Sequence, residues 1–179
     1  MKLLKTIRLD PSDTFVFERA AEPGEWAVPG TFVFAAIDPS ALQGKTRTAF
    51  RAGFLGVSSL GWSTLVQIVE TNAAGRADAV AQLAQRLVQH FGAPSLEAAR
   101  VAAEEEVTFA ESLCDHDADT LIALHRTSEN GDIREAFRTL KKRAGSKSFR
   151  AFSFMDVEGD DEAPAEQVDL VTLAQGERK

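Results

Sequence analysis

Apolar and polar positions change period several times along the chain, and each change marks an expected element. Lys2 to Leu9 alternates, with Leu3, Lys5, Ile7 and Leu9 on one face, and Asp10-Pro11-Ser12-Asp13 then supplies turn chemistry, so a first strand is predicted to end there. Thr14 to Glu18 is β-branched and aromatic and reads as a strand, as does Thr31 to Ile37, which Asp38-Pro39-Ser40 closes. Turn-length links between these segments point to antiparallel pairing, because βαβ crossovers need a dozen or more residues. Phe50, Gly53, Phe54 and Val57 stand at i, i+3, i+4 and i+7, the spacing of a short buried helix. Trp62 to Glu70 is apolar on both alternating faces, Leu65 and Val69 opposite Val66 and Ile68, the pattern of a central strand covered on both sides.

The second half begins with two long helices. Val80, Leu83, Ala84, Leu87, Val88 and Phe91 make one apolar stripe over Arg76 to Phe91, and Gly92-Ala93-Pro94 ends it. Ser95 caps the next helix, to Cys114, with Leu96, Ala99, Ala103, Val107, Ala110 and Leu113 on one side and Glu104, Glu105 and Glu106 largely toward water. Thr120 to His125 reads as a strand. Beyond it Asn130-Gly131 is a hairpin signal, but Ile133, Ala136, Phe137 and Leu140 have helical spacing, and Asp132, Glu135, the Lys141-Lys142-Arg143 run and Gly145 suit a capped helix, which is the expectation over Asp132 to Arg143. Ser148 to Val157 alternates as a last strand. Asp156 to Glu166 is acidic and holds Pro164, a solvated linker, before Val168 to Ala174 turns apolar again. The whole predicts one α+β domain over residues 1–156: a mixed, largely antiparallel sheet of about six strands, two long helices packed on one face, and an appended tail, 157–179.

Composition narrows the function classes. The formal charge is −7, and it is lopsided, +1 over residues 1–90 and −8 over the remainder, so nucleic acid is not an expected partner. The uncharged window from Ala52 to Val69 is long enough to raise a membrane span, but Ser58, Ser59, Ser63, Thr64 and Gln67, with Gly53, Gly56 and Gly61, argue against one. Cys114 is the single cysteine, which excludes an internal disulfide framework and any structural zinc site that needs two thiolates. With no signal-peptide run before Arg8 and Asp10, a cytoplasmic location is expected.

Candidate chemistry is sparse. Gly44-Lys45-Thr46 has the end of a phosphate-binding loop, but Pro39 stands where that loop needs glycine. A smaller expectation survives: Lys45, Arg47 and Arg51 cluster near a helix start, where amides and the helix dipole favour a small anionic ligand. Cys114, Asp115, His116 and Asp117 are adjacent, yet Cys114 continues an apolar stripe and the acids and His116 read as a helix exit. His90 ends a helix, where a cation complements the dipole. Ser58 and Ser59 lack the spacing of a nucleophile elbow. Trp26, beside a loop, and His125-Arg126, at a strand end, are the expected interaction residues. No catalytic residue, metal site or cofactor is predicted.

Ile7-Arg8-Leu9-Asp10-Pro11-Ser12-Asp13-Thr14-Phe15-Val16-Phe17, Gly53-Phe54-Leu55-Gly56-Val57, Gly61-Trp62-Ser63-Thr64-Leu65-Val66 and Arg134-Glu135-Ala136-Phe137-Arg138-Thr139-Leu140 resemble a family of small bacterial proteins of unknown function. The resemblance spans most of the chain and implies a cytoplasmic bacterial protein, with no activity, cofactor or catalytic residue to carry over. The residues themselves favour a non-catalytic accessory or interaction domain that binds a protein partner or forms a homodimer. Anion binding at Lys45, Arg47 and Arg51 is the alternative.

Overall fold

The structure, a computed structural model, describes residues 1–129, 131–141 and 156–158. The fold is α+β. A five-stranded sheet runs in the order β1 (Lys2–Ile7), β5 (Leu65–Glu70), β6 (Leu121–Glu129), β7 (Asp132–Lys141) and β8 (Asp156–Glu158), every neighbouring pair antiparallel. A smaller antiparallel sheet joins β2 (Ala27–Val28), β3 (Phe54–Gly56) and β4 (Trp62–Ser63). Only Thr64 separates β4 from β5, so one stretch of chain passes from the small sheet into the large one. Among the described residues there are eight strands, against about six expected.

Two long helices, α3 (Ala73–His90) and α4 (Leu96–Ser112), pack against one another and cover one face of the large sheet. Both have side-chain caps, Asn72 accepting from the Gly75 amide and Ser95 from the Ala98 amide. Ala99, Ala103, Val107 and Ala110 of α4 share a core with Val66 and Ile68 of β5 and with Ile122 and Leu124 of β6. Phe109 of α4 meets Phe137 of β7 edge-on, with centroids 5.9 Å apart, so α4 lies on the face that carries Leu124 and its register partner Phe137. β5 lies mid-sheet between β1 and β6, as its sequence predicts.

Four sequence expectations are corrected. Thr14 to Glu18 is not a strand: α1 (Ser12–Val16) is a short helix, because the Asp10 carboxylate accepts from the Ser12 amide at 2.7 Å, Thr14 Oγ1 donates to the Pro11 carbonyl at 2.6 Å, and the one turn buries Asp13 while Phe15 stays 71% exposed. Thr31 to Ile37 is not a strand either. Thr31–Phe34 is a 3-10 turn entered through Gly30, at φ 74°, and it sends Phe34 into a satellite core with Phe17, Leu42, Ala49 and Phe50, while Phe32 meets Phe91. The helix expected over Phe50 to Val57 ends earlier: α2 is Gly44–Ala52, and Phe54 begins β3, so Phe50 and Phe54 lie in different cores despite their helical spacing.

The fourth concerns Asp132 to Arg143, which is not a helix. β6 and β7 form a hairpin in which Glu129 pairs with Asp132, and Gly131 in the turn has φ 88°. Ile133 and Phe137 face the helices while Ala136 and Leu140 face away, and an apolar residue on both faces is what imitates a helical period. The strand expected over Ser148 to Val157 lies outside the described residues except at Asp156 and Val157. Asp156–Glu158, read as the start of the linker, pairs with β7 as β8. The acidic residues after Glu158 and the apolar segment Val168 to Ala174 lie outside the described residues. No helix among the described residues is long and apolar enough to cross a membrane.

Candidate functional site

Arg126, expected at a surface strand end, is 1% exposed. β6 continues four residues past His125, and even-numbered positions on β6 face the core, so Arg126 enters the interior and needs an acceptor for each proton it buries. Its Nε–H reaches Glu135 Oε1 at 2.8 Å and Thr31 Oγ1 at 3.0 Å. Its Nη1 donates to the carbonyls of Phe50 at 3.0 Å and Gly53 at 2.9 Å, and Nη2 donates to the Pro29 carbonyl. The guanidinium also lies 5.8 Å from the Phe34 ring centroid. Phe50 is in the last turn of α2, whose carbonyls have no intrahelical partner, so the arginine closes a helix C-terminus and complements its dipole. Burial lowers the guanidinium pKa, and the carboxylates of Glu135 and Glu106 oppose that shift. Arg126 is therefore a clamp that ties the Pro29–Thr31 turn, the α2–β3 junction and the β6–β7 hairpin together.

Glu135, opposite Arg126 in the register, is missed by sequence reasoning, though the Asn130-Gly131 hairpin would have placed it there. Thr31 donates to Glu135 as well, so this carboxylate serves two elements. Glu106, half-buried on α4, feels the charge of both residues. Burial first, then repulsion from Glu135, pushes its carboxyl up to about 7, against the attraction of Arg126.

The other expected residues lie outside this clamp; Lys45, Arg47 and Arg51 share α2, which starts at Gly44. Lys45, Arg47 and Arg51 are exposed on α2, away from the cavity beside Phe109 on α4 and from the small pocket beside the β1–α1 turn. Trp26 is half-buried at the edge of β1, where Lys5 Nζ lies 4.5 Å from its ring centroid and its Nε1–H donates to Asp78 of α3 at 2.9 Å. Hydrogen bonds from Gln82 and then Trp26 hold Asp78 below the usual carboxylate range. His125 is exposed on the far face of the sheet from the helices. Cys114 is buried, donates to the Ala110 carbonyl, and has its thiol pushed up to about 12, chiefly by burial; it is not an activated nucleophile. Glu25 fills its own nest of donors, accepting from the amides of Glu22, Ser58 and Ser59 and from the Ser59 hydroxyl. No group of three His, Cys, Asp or Glu side chains suited to a metal occurs among the described residues.

What remains is a surface. On the face of the large sheet turned from the helices, Ile7 pairs with Leu65 and Leu65 with Ala123, while Leu121 pairs with Leu140, with Val69 further along β5. All six residues are half-buried. An antiparallel sheet with one wet face ordinarily alternates apolar-in and polar-out. Here apolar side chains also stand outward: Leu3, 2% exposed, extends their row along β1, Lys5, Gln67, His125 and Arg138 interrupt it, and Thr127, Glu129, Asp132 and Arg134 make the hairpin end of the face polar. A pocket of about 100 Å³ lined by Ile7, Leu9, Asp13, Thr64 and Leu65 opens at one end of this face, and Leu9 beside it is 57% exposed.

A family model matches residues 1–157, nearly the whole described chain. The chain belongs to the DUF6505 family. That family is one of unknown function. Neither a curated protein nor a solved structure matches the chain. Family membership brings no assigned site.

Proposed function

We propose that this DUF6505 domain is a non-catalytic accessory protein that takes a protein partner, or a second copy of itself, on the outer face of its five-stranded sheet. The observation that carries this is the pairing of apolar side chains Ile7, Leu65, Val69, Leu121, Ala123 and Leu140 on the face opposite the helices. The sequence of β5 asks for cover on both sides, and among the described residues α3 and α4 supply it on one. Contiguous apolar patches of this kind on a folded surface mark interaction sites. Arg126, with its donors turned inward, and the high-pKa Cys114 support a non-catalytic role.

The test places a photo-cross-linking residue at Leu121 in the full chain, in the cell that makes it, with His125 as a neighbouring control position. A discrete adduct with another protein or a second copy from Leu121, abolished by Leu65→Lys, is the expected result. No adduct at all, or an intramolecular one alone, overturns the reading.

A further inference from the structure

We propose that the seam between α4 and the β6–β7 hairpin is a proton-controlled contact: neutral Glu106 lets it close, and ionised Glu106 opens it at the Phe109–Phe137 pair. The device lies on the helix side of the sheet and is independent of what binds the outer face.

Strand parity and one aromatic contact supply the geometry. The face of the hairpin turned to α4 carries two charges, Arg126 and Glu135, and these cancel in their 2.8 Å pair. Nη1 and Nη2 of Arg126 are turned to the carbonyls of Phe50, Gly53 and Pro29, so every nitrogen of the guanidinium is engaged. α4 brings a further carboxylate. Glu106 stands three residues before Phe109, and Glu135 two residues before Phe137 on the same face of β7. The edge-on contact of Phe109 with Phe137, centroids 5.9 Å apart, therefore sets both carboxylates along one seam. Glu106 is half-buried, and no ion pair or side-chain hydrogen bond among the described residues holds its carboxyl. One guanidinium thus answers for two carboxylates, and a sheltered group of that composition is relieved by keeping one proton.

The surrounding charges leave that count unchanged. Glu105, next to Glu106 on α4, adds repulsion. On α3, Arg76 is engaged by Glu104 and Glu111, Asp78 by Gln82 and Trp26, and Arg86 by Gln89. On β1, Lys2 donates to the His116 carbonyl and Lys5 lies over the Trp26 ring. His125, Glu129, Asp132, Arg134 and Arg138 of the hairpin stand on the opposite face of the sheet. With burial as the larger cause and Glu135 the next, the Glu106 carboxyl titrates at about 7, so the seam changes state near neutral pH. The sign follows from a raised value: closure favours the protonated form and weakens as pH rises through about 7. Phe109 also lines the cavity of about 490 Å³ on α4 with Glu104, Glu105, Thr108 and Ser112, so the state of the seam is carried to the surface.

The experiment places 4-fluorophenylalanine at position 109 of the full chain and follows its fluorine resonance from about pH 5.5 to 8.5, in light and in heavy water. The isotope shift between the two solvents reads the exposure of the ring. It should grow with pH, with a midpoint near about 7, and should stay at its low-pH value throughout in Glu106→Gln. Glu135→Gln should move the midpoint to lower pH, because Arg126 then answers for one carboxylate. An isotope shift that does not change with pH overturns the proposal. So does a response that survives in Glu106→Gln, which would belong to a histidine, or a midpoint that Glu135→Gln leaves in place. Glu106→Gln gives up no ion pair, so it decides the matter even where Glu135→Gln does not fold.

Discussion

Arg126 and Glu135 face each other across the β6–β7 hairpin, Nε to Oε1 at 2.8 Å, with the arginine side chain sealed from solvent and the carboxylate 15% exposed. The pair lies where three elements of irregular chain meet the sheet, so its loss reaches beyond one ion pair. Arg126→Ala leaves the carbonyls of Pro29, Phe50 and Gly53 without their donor and Glu135 without its counterion. Breaking a buried pair from one side costs about 3–5 kcal/mol. Urea unfolding of Arg126→Ala should show at least that loss, and the double variant with Glu135→Ala should lose less than the two single losses combined. A loss under about 1 kcal/mol would mean that the clamp carries no weight.

Glu106 gives a pH dependence of unusual sign for a carboxyl. Its folded-state pKa, about 7, lies above the ordinary 4.5. A raised pKa means that folding favours the protonated form, so the contribution is fully present below the unfolded value and is lost as pH rises through about 7. Chemical denaturation between pH 4.5 and 8 should show this component weakening as pH rises, and Glu106→Gln should flatten it. An unchanged profile in Glu106→Gln would refute the assignment.

Neighbouring residues on β6 should behave in opposite ways. Ile122 is 1% exposed and faces the helices, so Ile122→Ala should cost about 2–5 kcal/mol. Leu121 is half-buried on the outer face, and Leu121→Lys should cost well under half of that. Equal destabilisation by the two changes would show that the outer face is as much core as the inner one. Thermal or urea unfolding of both variants decides it.

How much of this was legible in the sequence depends on who supplies the deciding contact. α3 and α4 were readable because a long amphipathic pattern fixes a helix locally and Ser95 caps the second, whereas the Asn72 cap, which starts α3 at Ala73 and not at the expected Arg76, was missed. Thr14 to Glu18 and Thr31 to Ile37 have strand-forming residues but no free sheet edge to join, and the burial of Asp13, Phe17 and Phe34 imposes turns instead. β7 was misread because Ala136 and Leu140 face the apolar outer surface, so its alternation lost its polar half. The same surface is the candidate site, so the residues that hid the strand are those that point to function. Arg126 was noticed, but its inward direction depends on strand parity over the full length of β6, which its end signals did not reveal.

Gly30 offers a steric test. It holds φ 74°, and a Cβ there would stand 2.5 Å from the Leu55 Cβ in the small sheet. Gly30→Ala should therefore lose more than the ~1 kcal/mol that a left-handed backbone alone costs a side chain, read from the urea midpoint. Gly24, also left-handed at φ 86° but with open space around it, is the control that should lose only the backbone part.

Cys114 should be inert while the domain is folded. With its thiol pushed up to about 12, alkylation by iodoacetamide at pH 8 should be slow in buffer and fast in denaturant. Rapid native alkylation would show that the helix end opens.

The first strand has consequences for the order in which the chain can fold. β1 finds its full-length neighbour in β5, Lys2 opposite Glu70 and Ile7 opposite Leu65. During synthesis Leu3 and Leu4 therefore emerge more than sixty residues ahead of the strand that completes their sheet. The hairpin of β6 and β7 and the α3–α4 pair, by contrast, close over short sequence distances. Non-local closure is slow relative to local closure. The N-terminal strand should accordingly be the late-docking piece of the domain, exposed to chaperones on the nascent chain and last to gain protection in pulsed hydrogen exchange.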